Sequence, residues 1–119
     1  MLFFCASIIT VFLIINFLHQ NNFKDRLAFW QNAADNSPHS SLAQKNLGAM
    51  YYLEKKYSLS EQYSKKALII NPYETMAHNN LGLVYASAGK LEQAEKEYLL
   101  EINPGYGDAK IMLGILNAK

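Results

Sequence analysis

Asn46-Leu47-Gly48-Ala49-Met50-Tyr51 and Asn80-Leu81-Gly82-Leu83-Val84-Tyr85 are two versions of one phrase, thirty-four residues apart. Leu113-Gly114 echoes it after a slightly shorter interval of thirty-two. Asn71-Pro72 and Asn103-Pro104 close the first two units, and Ser37-Pro38 stands before the first. Recurrence at a fixed period of this size is the mark of stacked supersecondary units, each of which buries its apolar face on its neighbours. Leu47 with Tyr51, and Leu81 with Tyr85, are four apart and share one helical face. A glycine inside a helix costs about 1 kcal/mol against alanine, a cost tolerated where a neighbouring helix comes close. Proline cannot continue a helix interior, so each unit reads as helix, short turn, helix, stop.

Working outward, Ser58-Leu59-Ser60-Glu61 has the spacing of a capping box and predicts the start of a second helix. Gly89 after Ala88 suits the left-handed turn that ends a first helix. Leu91, Ala94, Tyr98 and Leu99 then fall at the spacing of a buried helical stripe, and Tyr57, Ala67, Leu68 and Ile70 do the same in the first unit. These residues, with Leu47, Gly48, Tyr51, Pro72, Leu81, Gly82, Tyr85 and Pro104, resemble the tetratricopeptide repeat from about Ser40 to the carboxyl end. Ser60 and Ser64 replace usual core residues, and Lys55 stands where a turn glycine is common. The resemblance implies repeats at about 41–74 and 75–106, with a partial unit at 107–119. The last helix, expected from Asp108 to Ala118, is apolar on more than one side, which suits packing on a partner or on a second copy of the chain.

The 119 residues are otherwise divided by charge. Eleven Lys and Arg nearly balance ten Asp and Glu, so no strongly basic or acidic partner surface is implied. No charged residue precedes Lys24, however, and residues 1–20 read as a transmembrane helix. Leu2, Phe3, Phe4, Ile8, Ile9, Val11, Phe12, Leu13, Ile14, Ile15 and Phe17 carry that expectation. A cleaved signal peptide lacks its basic start and small-residue cleavage site here, and a buried core helix would have few positions for solvent. Cys5 is the only cysteine, so the chain forms no internal disulfide.

Residues 21–39 read as a linker helix packing on the array, with Leu27, Trp30, Ala33 and Ala34 on one face and Ser37-Pro38 at its end. The order of apolar span, Asp25-x-Leu27-x-x-Trp30, Ser37-Pro38 and repeats resembles the tail of polytopic membrane proteins that join a glycosyltransferase-like region to such repeats. That resemblance implies extracytoplasmic repeats that bind the acceptor protein. Lys24 and Arg26 just after the span favour the cytoplasmic side instead.

The fold expected is therefore all-α, a transmembrane helix followed by a short helix-turn-helix solenoid. In tetratricopeptide arrays the first helices line a concave surface. Repeat register places Leu42, Lys45, Asn46, Ala49, Tyr52 and Leu53 there, then Met76, Asn79, Asn80, Leu83 and Ser87, with Ile111 beyond. Apolar side chains mixed with amides suit a protein or peptide segment, and Asn46 with Asn80 could form an amide ladder along an extended backbone. Lys45 and Asn80 match a clamp for terminal carboxylates, but Ala49, Asp108 and Met112 do not. No nucleic-acid platform is expected. His19, His39 and His78 lack metal-ligand spacing, and no glycine-rich phosphate loop occurs, so the expectation is a protein-binding scaffold and not an enzyme, with no metal or cofactor.

Overall fold

The computed structural model describes the backbone of residues 2–103 and the side chains of residues 7–103. The expected helix at 108–118, Ile111 and any self-association through that helix lie outside the described residues. Within them the chain is all helix: α1 (Leu2–Asn36), α2 (Ser41–Leu53), α3 (Tyr57–Ile70), α4 (Ala77–Ser87) and α5 (Leu91–Ile102).

Two small cores hold these helices. Ala34 of α1 is buried with Ala43, Leu47 and Tyr51 of α2, and Leu27, Trp30, Ala33 and Tyr63 pack around them. Leu81 and Tyr85 of α4 are buried with Ala94 of α5, closed by Leu68, Ala86 and Tyr98. The four-residue spacing seen in the sequence thus faces inward in both units. Each large apolar side chain taken out of water contributes roughly 1.5–3 kcal/mol to this packing. The glycines mark the closest approaches. A Cβ on Gly48 would stand 2.7 Å from Ser64 Oγ and 3.2 Å from the Ser60 carbonyl, and one on Gly82 would run into the Tyr98 ring. Ser60 and Ser64 belong to the same arrangement, since small side chains on α3 let it lie against α2.

The turns repeat as closely as the helices. Lys55 and Gly89 both take left-handed backbone, with φ of 60° and 74°. Each hands the chain to a lysine at the helix cap, Lys56 or Lys90, whose ammonium stands 5.9 Å from the ring of Tyr51 or Tyr85. Because Lys55 turns the chain this early, α3 begins at Tyr57 and no side chain caps it. The capping box expected from Ser58 is therefore not formed, since Ser58 already lies within the first turn. At α2 a side-chain cap is present, Ser40 Oγ accepting from the Ala43 amide at 3.2 Å.

α1 passes from the apolar run into the packed segment as one unbroken helix. Among the described residues no helix is long and apolar enough to cross a membrane. The first six positions of the span expected from the sequence lie outside the described side chains. What is described beyond them is an apolar cylinder: Ile8, Ile9, Val11, Phe12, Leu13, Ile14, Ile15, Phe17 and Leu18 are each 53–65 % exposed.

The layers bend in one direction. Backbones of α2 and α4 approach each other, while those of α1 and α3, and of α3 and α5, do not. α2 and α4 therefore form an inner layer, and the other three helices splay around it.

Candidate functional site

The inner layer presents what its cores do not use. α2 turns Ala43, Gln44, Leu47, Gly48, Met50 and Tyr51 inward. That leaves Leu42 and Leu53 exposed, with Lys45, Asn46, Ala49 and Tyr52 half-buried. α4 buries Ala77, Asn80, Leu81, Gly82, Val84 and Tyr85. Met76 and Ser87 stay exposed at its ends, and Asn79 and Leu83 are half-buried between them. The residues placed on this surface by repeat register thus lie on helices that adjoin each other.

Polar bonds lace the two helices together. The Asn80 side-chain amide donates to the Lys45 carbonyl at 3.2 Å. Ser87 Oγ donates to the Leu83 carbonyl at 2.9 Å and accepts from the Tyr52 hydroxyl at 3.1 Å. Lys45 is not a free cation, for its ammonium lies 3.6 Å from a Glu74 carboxylate oxygen. Glu74 also accepts from the Ser41 hydroxyl at 2.6 Å and from the Asn71 amide at 3.4 Å.

These bonds distinguish the two asparagines that share one repeat position. Asn80 is 7 % exposed and one of its two side-chain N–H groups is engaged by α2, so the two asparagines are not equivalent. Asn46 has no earlier inner-layer helix among the described residues to bond, and its side chain remains half-buried at the surface.

Two acidic residues of α5 were not legible as structural groups. Glu101 reads in sequence as part of a solvated face. Its two oxygens instead accept from the Met76 amide at 2.5 Å and the Asn79 amide at 3.2 Å, capping α4 from the neighbouring helix. Met76, at φ 69°, offers no side-chain cap of its own. Glu97 meets His78 Nδ1 at 2.7 Å. A carboxylate beside the first turn of a helix also complements the positive end of its dipole. Among the described residues no group of three or more His, Cys, Asp and Glu is placed to hold a metal ion.

Taken together the inner face offers apolar side chains, amides and hydroxyls, a surface suited to an extended backbone. No known family profile matches the chain. No curated protein matches it either. Among solved structures it is similar to one described as the first TPR of Spaghetti (RPAP3) bound to the HSP90 peptide SRMEEVD. The TM-score is 0.63 at 23 % identity, over 87 % of this chain and 83 % of that one. The likeness is one of fold: the helices form a tetratricopeptide-type array.

Proposed function

We propose that the chain is a scaffold that holds an extended segment of a partner protein against the α2–α4 face. The observation that carries this is the open inner layer, where Leu42, Asn46, Ala49, Leu53, Asn79 and Leu83 remain unused or partly unused by the cores. The similar solved array holds a peptide, which supports the same role here. Binding would rest on apolar burial and amide hydrogen bonds to the ligand backbone, and the role is recognition without catalysis. A random peptide library displayed against the full chain in neutral detergent tests this. Selected peptides should lose binding to Leu83→Glu and keep it with Ile69→Glu, since Ile69 is 81 % exposed on an outer helix. Loss with Ile69→Glu alone would overturn the assignment of the face.

The finer part of the proposal is that the amino-terminal half of α1 sits in a membrane. Apolar residues from Ile8 to Leu18 are exposed on every side of the helix, and a single partner helix would cover only one stripe. From Leu2 to Leu18 the sequence carries no charged residue, so this end of the helix has no ionised group whose burial in lipid would oppose insertion. The repeats are proposed to lie on the extracytoplasmic side, as in the membrane proteins the sequence resembles. Reconstitution into phosphatidylcholine vesicles tests the anchor. The full chain should float with the vesicles and resist alkaline extraction, whereas release by alkali would remove the anchor from the account.

A further inference from the structure

We infer that Glu74 acts as a built-in occupant of Lys45, the one cation that repeat register places on the inner face among the described residues, so that the face selects an uncharged peptide segment over an acidic one. This rests on the peptide-binding reading above and names the charge of its ligand.

Among the described residues that repeat register places on this face, Lys45 alone carries a charge. Its side chain is 13 % exposed and that of Glu74 is 11 % exposed, so the pair is largely withdrawn from solvent. In such a place the attraction between opposite charges is screened less than at the surface. The carboxylate is also fixed from the other side. The Ser41 hydroxyl reaches it at 2.6 Å and the Asn71 amide at 3.4 Å. Ser41 belongs to the first turn of α2, and Asn71 ends α3, so the loop that carries Glu74 is tied to both helices. An incoming peptide carboxylate would have to displace a held one to reach Lys45, and would leave Glu74 without its counter-charge. Removing one partner from a largely buried ion pair is strongly unfavourable. An uncharged backbone segment meets no such cost. It can use Asn46 and the half-buried apolar positions while the ion pair stays closed.

The inference makes Lys45 a latent receptor that one substitution exposes. Two hexapeptide probes separate the cases. One is acetyl-Leu-Asn-Leu-Glu-Glu-Leu with a free carboxylate, and the other is acetyl-Leu-Asn-Leu-Gln-Gln-Leu-amide. Binding of each to the full chain in neutral detergent is measured by isothermal titration calorimetry for the wild type, Glu74→Gln and the double variant Glu74→Gln/Lys45→Met. Circular dichroism melts verify that each variant folds. The wild type should prefer the neutral probe. Glu74→Gln should gain about tenfold for the acidic probe, the factor that about 1.4 kcal/mol of charge-assisted hydrogen bonding provides. The double variant should lose that gain. A wild type that already prefers the acidic probe, with no change in Glu74→Gln, would overturn the inference and leave the scaffold reading standing. Neutral binding without an acidic gain in Glu74→Gln would also overturn it, by showing that Lys45 is no receptor even when released. If no form binds either probe, the peptide-binding reading itself fails and the charge assignment falls with it.

Discussion

The Asn80 side chain donates to the Lys45 main-chain carbonyl across the seam between α2 and α4, at 3.2 Å. It ties the inner layer together at its middle, with Tyr52 and Ser87 joined at one end and Ser41 and Glu74 at the other. Replacing Asn80 by alanine removes a buried hydrogen bond between repeats and should cost about 1–2 kcal/mol. A thermal melt should show the midpoint falling by about 5 °C or more. An unchanged midpoint would mean that the seam is held by packing alone.

Close packing of α2 on α3 gives a second expectation. Gly48→Ala gains helix propensity of about 1 kcal/mol but drives its Cβ into Ser64 and the α3 backbone, where overpacking costs about 1–3 kcal/mol. The net effect should be destabilising by about 1 kcal/mol. Ser64 is fully buried and its hydroxyl has no partner, so Ser64→Ala should be neutral or stabilising. In the double variant the nearest clash is gone, and the loss should be smaller than the sum of the single changes. Denaturant melts of the four proteins measure this coupling, and strict additivity would contradict the packing described.

The repeat of one turn with two different residues allows a direct comparison. Lys55 and Gly89 hold φ of 60° and 74°. Left-handed backbone costs a residue with a side chain roughly 1 kcal/mol, part of which glycine returns through its freer unfolded chain. Lys55→Gly should therefore stabilise by about 0.5 kcal/mol, and Gly89→Ala should destabilise by about 1 kcal/mol. Destabilisation by Lys55→Gly together with destabilisation by Gly89→Ala would show that the two turns are not equivalent.

On the outer side, Glu61 pairs with Lys65 and accepts from the Tyr85 hydroxyl at 3.2 Å, joining α3 to α4. The Lys65 hydrogen bond, foremost, holds the Glu61 carboxyl below its ordinary value of 4.5. A lowered folded-state value means the contribution is complete above about pH 4.5 and disappears as pH falls through the folded-state value. Stability should thus drop between pH 5 and the more acidic range, and Glu61→Gln should flatten that part of the profile. A wild-type profile that Glu61→Gln leaves unchanged would remove this pair from the acid limb.

What the sequence makes legible is what repeats. Asn-Leu-Gly recurring at thirty-four residues locates α2 and α4, and Leu47, Tyr51, Leu81 and Tyr85 occupy the cores that their spacing implies. Gly89 turns the chain as its residue type suggests, and Lys55 does so against its type because the repeat requires it. The polar bonds were not legible, because they join residues that do not repeat together. Glu101 lies twenty-five residues from the Met76 amide it accepts, and looks in isolation like any exposed helical acid. Glu74 follows a proline turn and gives no local sign that it will meet Lys45. Asn46 and Asn80 are identical in register and differ in role, since among the described residues Asn80 has an earlier inner helix to bond and Asn46 does not. Side-chain position follows from the period, but its partner depends on the neighbour that the period brings beside it.

The central claim is that a partner's extended segment lies across the inner layer. The most direct measurement is backbone amide chemical-shift mapping of the full chain in neutral detergent, titrated with acetyl-Leu-Asn-Leu-Gln-Gln-Leu-amide. The account predicts saturable shifts centred on Asn46, Ala49, Asn79 and Leu83, with Ile69 and Glu92 on the outer helices unmoved. Shifts centred on the outer helices, or none at all at millimolar peptide, would contradict it.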